Sequence, residues 1–335
     1  MTVLKVGIIG IGRIGKIHLG NLLNMPDVEV VAAVNPSKAG QEYARKLGVP
    51  NVSDNADIIF NNDAIDAVVI GSSTDTHTEY IKKCTASNKA IFCEKPVDLS
   101  LAVVKETIDI VNTTKTPLMM GFNQRFDPNF SQVKKALKAG ELGELHSLHI
   151  ISRDPAPPPM DYIKTSGGLF KDMTIHDFDM ARFIAGAEVV EVFAKGHNRI
   201  DPAIGEAGDI DTAMVMLTFE NNATAVIENS RKSVYGYDQR LEAFGSKGMM
   251  RTENPLKTVN QYYNESGKQE SRNMDFFIDR YEEAYRLELR AFVDALKNNE
   301  AFPVTGKDGL EAMFIAEAAN KSLKEGRPVK LTEVN

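Results

Sequence analysis

Three side chains of this 335-residue chain stand where ionisable groups do chemistry. Lys95 closes the run IFCEK, one residue beyond the apolar stretch 90–93, and Pro96 restrains it to an extended backbone. Asp172 and His176 lie in SGGLFKDMTIHDFDMARF, residues 166–183, where Leu169, Met173, Phe178 and Phe183 recur at helical intervals. That periodicity puts Asp172 and His176 at i and i+4 on one helix face, with Asp179 a turn further on. A carboxylate and an imidazole so placed can move a proton near neutral pH. His176 would accept it, while Asp172 holds the imidazole or a substrate hydroxyl in position. The competing readings are an ordinary surface pair, a core histidine, or a metal held by Asp172, His176 and Asp179. No metal is expected, because no further histidine or cysteine at ligand spacing accompanies them.

A second constellation binds rather than reacts. Gly10, Gly12 and Gly15 spell G-x-G-x-x-G directly after an apolar run at 6–9 and at the start of a helical stretch at 12–23. Gly10 turns the chain, Gly12 lets a pyrophosphate approach the backbone, and Gly15 lets the helix lie close on the strand. The helix opening at Arg13 and Ile14 offers unpaired N–H groups and a positive dipole end to phosphates. A second strand at 28–34 ends on Asn35, where an acid usually takes the ribose 2′-hydroxyl. Asn35 carries no charge to repel a 2′-phosphate, and Ser37, Lys38 and Arg13 can donate to one, so NAD and NADP are both admitted as cofactors. The plainer alternative has Asn35 bonding both ribose hydroxyls of NAD, with Lys38 merely solvated.

These residues require a particular scaffold. Up to Gly121, strand-like runs at 6–9, 28–34, 67–70, 90–93 and 117–121 alternate with helical stretches at 12–23, 39–47, 77–87 and 101–113. Such alternation implies a doubly wound parallel sheet with crossover helices, an α/β domain. Ligands bind beyond the carboxyl ends of such strands, so Glu94 and Lys95, and also Ser72, Thr74 and His77, are expected beside the cofactor. His77 fits equally well in the cap of the following helix. After Gly121 the rhythm changes to longer strands at 145–152, 189–196, 211–219, 223–230 and 239–244. Helices are expected at 130–139 and 168–185. Glu220, Asn221 and Asn222 suggest a hairpin. The expected second domain, 122–335, is therefore α+β with a large, open, mostly antiparallel sheet, following a dinucleotide-binding domain at 1–121. Its free face is a natural homo-oligomer interface, for a dimer or tetramer. The closing helical stretches at 281–298 and 307–324 are expected to pack back toward the first domain.

Composition narrows the partners. A net charge of -7 offers no basic surface for nucleic acid or an anionic membrane. No apolar run approaches the ~18 residues of a membrane span, and the N-terminus lacks a signal-peptide pattern. A cytoplasmic protein acting on a small molecule is expected. Cys84 and Cys93 form neither a disulfide framework nor a metal spacing, and read as reduced packing residues.

Taken together, GIGRIGKIHLGNL, STDTHTEY, CEKP, GFNQRFDPNF, FKDMTIHDFDMARF and YGYDQRLEAFGSKGM resemble the glucose-fructose oxidoreductase and inositol dehydrogenase family. SRDPAPPP, with IHDFDMARF, is most similar to its inositol 2-dehydrogenase branch. The resemblance implies that Lys95 is the catalytic-site lysine, commonly before a cis proline, and that Asp172 and His176 are the D-x-x-x-H pair with His176 as base. It implies substrate-side roles for Asn123, Arg125, Asp154 and Tyr235 or Tyr237. The implied reaction is hydride transfer from a cyclic polyol, myo-inositol first, to NAD(P). An NAD-using glycoside hydrolase and a non-catalytic dinucleotide sensor are the rivals from other classes. Asn35, in place of the acid usual in NAD-using members, is the departure.

Overall fold

The computed structural model describes residues 3–334. They cluster into two units. One holds the chain up to Phe126 together with Glu283–Glu311; the other holds Asp127–Glu282 together with the chain from Ala312 onward. Neither is a single stretch of sequence, in contrast to the one cut expected at 121.

The first unit is built on a six-stranded parallel sheet of β1 (Leu4–Ile9), β2 (Val28–Val34), β3 (Asn51–Ser53), β4 (Ala67–Ile70), β5 (Ala90–Glu94) and β6 (Leu118–Gly121), in the order β3-β2-β1-β4-β5-β6. All of β4 and β6 is buried, and so is β5 up to Cys93. Helices cover both faces of such a sheet, so these strands read as unbroken apolar runs rather than alternating ones. The edge strand β3, Asn-Val-Ser, has no such signal. The strand order reverses between β1 and β4, the position at which doubly wound sheets open a ligand crevice. The helix Glu282–Asn298 lays Phe292 against Phe92 of β5, with centroids 5.7 Å apart. Its Arg290 and Lys297 each donate to Asp27 at 2.7 Å, and these cations hold the Asp27 carboxyl well below its usual range.

The second unit carries a seven-stranded sheet of β7 (Leu145–Arg153), β8 (Val189–His197), β9 (Thr212–Phe219), β10 (Thr224–Ser230), β11 (Asp238–Gly245), β12 (Gly248–Thr252) and β15 (Val329–Lys330), in the order β12-β11-β7-β10-β9-β8-β15. β13 (Gln261–Asn264) and β14 (Gly267–Glu270) form a separate hairpin. β9 and β10 are joined by the expected turn, with Asn222 in the left-handed region at φ 64°. Within the large sheet β7 and β10 run parallel; every other pairing is antiparallel. One face is core, where Ala213, Val215 and Leu217 are buried, while Met214 and Met216 between them are 52% and 49% exposed on the other. Helix Ile175–Ala185 packs on β7. Among the described residues no helix is long and apolar enough to cross a membrane.

Candidate active site

The glycine turn follows β1. Gly10 has φ +90°, and a Cβ there would lie 2.4 Å from the Ser72 amide nitrogen. A Cβ on Gly15 would lie 1.8 Å from the Gly10 carbonyl oxygen, so neither position tolerates a side chain. Gly12 differs: it is exposed, and a Cβ there would meet nothing within 4 Å. Helix Arg13–Leu23 begins beside it with no side-chain cap, leaving its first amides to another acceptor. Arg13 is exposed and Ile14 half-buried at that end.

Asn35 departs from the expectation that its carboxamide faces a ribose. It is 7% exposed; its Oδ1 accepts from Ile11 N at 2.8 Å, and its Nδ2 donates to Ser37 O and Ser37 Oγ at 3.2 and 2.8 Å. The side chain ties the glycine turn to the start of the next helix, Lys38–Lys46, which Ser37 caps. Ser37 and Lys38 themselves are exposed.

β5 ends at Glu94, so Lys95 emerges just beyond it, half-buried, and the Lys95–Pro96 bond is cis. Glu94 Oε1 lies 2.6 Å from His18 Nε2. His77, expected either beside the cofactor or in the cap of the following helix, lies near the start of helix Thr74–Ala86. It is 1% exposed, with Nδ1 2.8 Å from Pro96 O and Nε2 3.1 Å from Ser72 O. Burial lowers the His77 pKa, so the ring is neutral and donates to one carbonyl, the nearer being Pro96. His77 is thus a strut beneath the lysine loop. Ser72 and Thr74 are half-buried after β4, with Ser72 Oγ 2.7 Å from Thr76 Oγ1.

In the second unit Asp172 and His176, the expected pair, sit on a modified helix. Phe170–Thr174 is a π-turn, and the regular helix starts only at Ile175, so Asp172 and His176 lie on either side of a change in winding. Such turns are frequent at functional sites. Gly167 and Gly168, at φ +83° and +85°, lead into it. A Cβ on Gly168 would lie 2.9 Å from Asp209 Oδ1, which accepts from Leu169 N at 2.9 Å. Asp172 Oδ2 accepts from Arg231 Nη1 at 3.0 Å, and its Oδ1 accepts from Tyr162 OH at 2.8 Å. Arg231 is 1% exposed. A carboxylate offers about four lone-pair sites, so Asp172 keeps capacity for a further donor. His176 is half-buried.

The remaining expected residues divide. Asp154 follows β7, its amide donating to Ser230 O at the end of β10, and Arg231 follows Ser230. The parallel pairing of β7 and β10 brings these two ends together. Tyr235 is 48% exposed, its hydroxyl donating to Asp238 Oδ2 at 2.7 Å and accepting from Arg153. Burial opposes the Asp238 charge, but bonds from Arg240, Tyr235 and Asn254 hold its carboxyl below the ordinary value. Tyr237 is core, edge-on to Phe276 and Tyr281. Asn123 is 3% exposed. Arg125, expected on the substrate side, donates to Asp308 Oδ1 at 2.9 Å and to Pro303 O at 3.3 Å.

Comparison with known proteins decides what these parts belong to. Residues 4–122 match the family described as "Oxidoreductase family, NAD-binding Rossmann fold", and residues 130–251 match the "GFO/IDH/MocA C-terminal domain". The chain belongs to the GFO/IDH/MocA oxidoreductase family. It is 46% identical to Myo-inositol 2-dehydrogenase of Thermotoga maritima over 99% of both chains, and 44% identical to Inositol 2-dehydrogenase of Rhizobium meliloti over 99% of this chain and 100% of that one. The solved scyllo-inositol dehydrogenase from Lactobacillus casei, with bound cofactor NAD(H) and scyllo-inositol, superposes with a TM-score of 0.92 at 30% identity, covering 99% of this chain and 100% of that chain. This oxidoreductase is an NAD-binding enzyme acting on CH–OH groups. The geometry fits the cofactor: the open space at Gly12 and the uncapped helix beside it would take the pyrophosphate.

Sequence reasoning missed Arg231, Tyr162, Asp209 and Asn229 in this oxidoreductase. Asn229 is 0% exposed; its Oδ1 accepts from Thr174 Oγ1 at 2.8 Å and its Nδ2 donates to Asp177 Oδ2 at 2.7 Å. It grips residues on both sides of His176. Burial pushes Asp177 up to about 7, against hydrogen bonds from Asn229 and Ser152. The only signal in the sequence was the polar end ENSR of an otherwise apolar strand.

Proposed function

We propose that this enzyme oxidises a secondary hydroxyl of a cyclic polyol, with myo-inositol as substrate and 2-keto-myo-inositol as product. The observation that supports it is the 46% identity to Myo-inositol 2-dehydrogenase over 99% of both chains. Lys95, Asp172 and His176 supply the chemistry. Bound NAD supplies the hydride acceptor. An alcohol is a poor hydride donor until its proton leaves; His176 takes that proton as alkoxide character develops, and Asp172, anchored by Arg231, orients the pair. Lys95 stabilises the growing negative charge. Asp154 and Tyr235 would bond further hydroxyls. Ser37 and Lys38, exposed beyond β2, leave NADP admissible beside NAD. The same reading makes the enzyme a homo-oligomer, dimer or tetramer, joined through the open sheet face. It also places the enzyme in the cytoplasm, in keeping with the free, buried thiols of Cys84 and Cys93.

The test is a panel of inositols and aldoses, with NAD and NADP in turn, following reduced nicotinamide. Myo-inositol with NAD should give the highest kcat/KM, and Lys95→Ala and His176→Ala should each lower it by about 10²- to 10⁴-fold in folded protein. Near-normal turnover by either variant overturns the mechanism. Preference for an aldose moves the substrate, and sugar hydrolysis without net nicotinamide reduction replaces the reaction class.

A further inference from the structure

Behind the lysine loop, in the core of the first unit, three ionisable side chains meet. His18 comes from helix Arg13–Leu23, Glu94 from the end of β5 and Glu288 from helix Glu282–Asn298, with one potential ligand atom of each lying within 4.8 Å of the others. His18 and Glu288 are both 0% exposed. The surroundings are apolar: the rings of Phe92 and Tyr285 lie edge-on to His18, at 5.2 and 5.9 Å. Glu288 is the anomaly, because no hydrogen-bond donor serves either of its carboxyl oxygens.

A buried and a half-buried carboxylate this close do not both ionise; a cation or a proton must intervene. A metal is the poorer choice. Ligands in a tetrahedral zinc shell stand about 3.3 Å apart, whereas His18 Nε2 and Glu94 Oε1 are 2.6 Å apart, a direct hydrogen bond. A proton needs no such room. We propose that Glu288 is a protonated acid sharing its proton with Glu94, and that this pair, with His18, makes Glu288 the positioning residue for Lys95. Burial, and then the Glu94 carboxylate, pushes the Glu288 acid well above the ordinary glutamate value.

Local geometry shows how the effect reaches the lysine. Glu94 precedes Lys95, and its carboxyl lies over Gly121 of β6, where a Cβ would come within 3.1 Å of it. On the other side His77 holds Pro96 O. Lys95 is therefore clasped at the residue before it and the residue after it. The charged and titratable groups around the pair are His18 from its helix, Cys93 on β5, His77 from helix Thr74–Ala86, Lys95 itself and Tyr285 on Glu288's own helix; from β6, Gly121 faces the Glu94 carboxyl.

The positioning role rests on the reading of Lys95 above; the proton does not, and the experiment separates them. Glu288→Gln keeps the shape, is always neutral and donates to Glu94. A group whose folded pKa is raised contributes stability below its unfolded value and loses it as pH rises through the folded value. The melting temperature of Glu288→Gln relative to the native enzyme should therefore climb as pH rises above the ordinary glutamate value. His18 and His77 are common to both proteins. Glu288→Gln should also retain turnover, whereas Glu288→Ala, with Glu94 left without its donor, should lose about 10- to 100-fold in kcat at saturating NAD. A flat melting difference, or a stoichiometric metal in the purified enzyme that is lost in Glu288→Ala, overturns the shared proton. Equal loss by Gln and Ala, or full turnover by folded Glu288→Ala, overturns the positioning role. If Glu288→Ala does not fold, the Gln variant and its pH dependence still decide. A failed Lys95→Ala test with a climbing melting difference would condemn only the reading of Lys95.

Discussion

Asn35 occupies the place where a dinucleotide-binding sheet usually presents an acid, and its carboxamide is engaged with Ile11 and Ser37 instead. The residue type was legible in the sequence; the direction in which it points was not, because rotamer choice depends on neighbours brought from elsewhere in the chain. Asn35→Ala leaves the buried Ile11 N–H without its acceptor and should cost about 1–3 kcal/mol of stability. It should weaken NAD and NADP together, so that their kcat/KM ratio stays put. A tenfold change in that ratio would return Asn35 to the ribose. Asp177 allows a second test at this scale. Burial holds its folded pKa at about 7, above the ordinary 3.8. The native enzyme thus has the benefit of the neutral acid at low pH and loses it as pH rises toward 7. Thermal melts of Asp177→Asn should gain on the native enzyme across that interval and level off above it; a constant difference would show that Asp177 titrates normally.

At the scale of elements, the apolar spacing of 168–185 predicted one helix, and the structure divides it into a π-turn and an α-helix. Hydrophobic periodicity reports the buried face and is nearly blind to one extra residue per turn. What holds the junction is Asn229, bonded to Thr174 and Asp177 from the facing strand. Asn229→Leu should take one hydrogen bond from each group, cost about 2 kcal/mol, and lower kcat while leaving the KM for NAD unchanged. If kcat in the folded variant is unaffected, the clamp serves stability alone. The parallel pairing of β7 with β10 was also hidden. Short turns advertise antiparallel neighbours, whereas a pairing across 70 intervening residues, 154–223, leaves no local mark. Yet that pairing puts Asp154 and Arg231 at one end of the sheet.

For the whole molecule, the proposed contact between copies falls on the open sheet. Met214 and Met216, each about half exposed, stand on the face opposite the core. Paired changes Met214→Glu and Met216→Glu should lower the mass measured by light scattering, since burying two carboxylates in an apolar contact is strongly unfavourable. An unchanged mass would remove this face from the interface.

The amino-acid sequence by itself determined the glycine turn after the first strand, and it marked the residues proposed for the chemistry: Lys95 after a buried strand, and Asp172 with His176. It did so because residue type, spacing and hydrophobic period are local properties of a chain. Only the tertiary structure decided which polar groups those residues answer to. Arg231 reaches Asp172 across 59 positions, His18 reaches Glu94 across 76, and Asn229 brackets His176 from a facing strand. Buried polar groups must find partners, and the fold chooses them from distant segments that no local pattern connects.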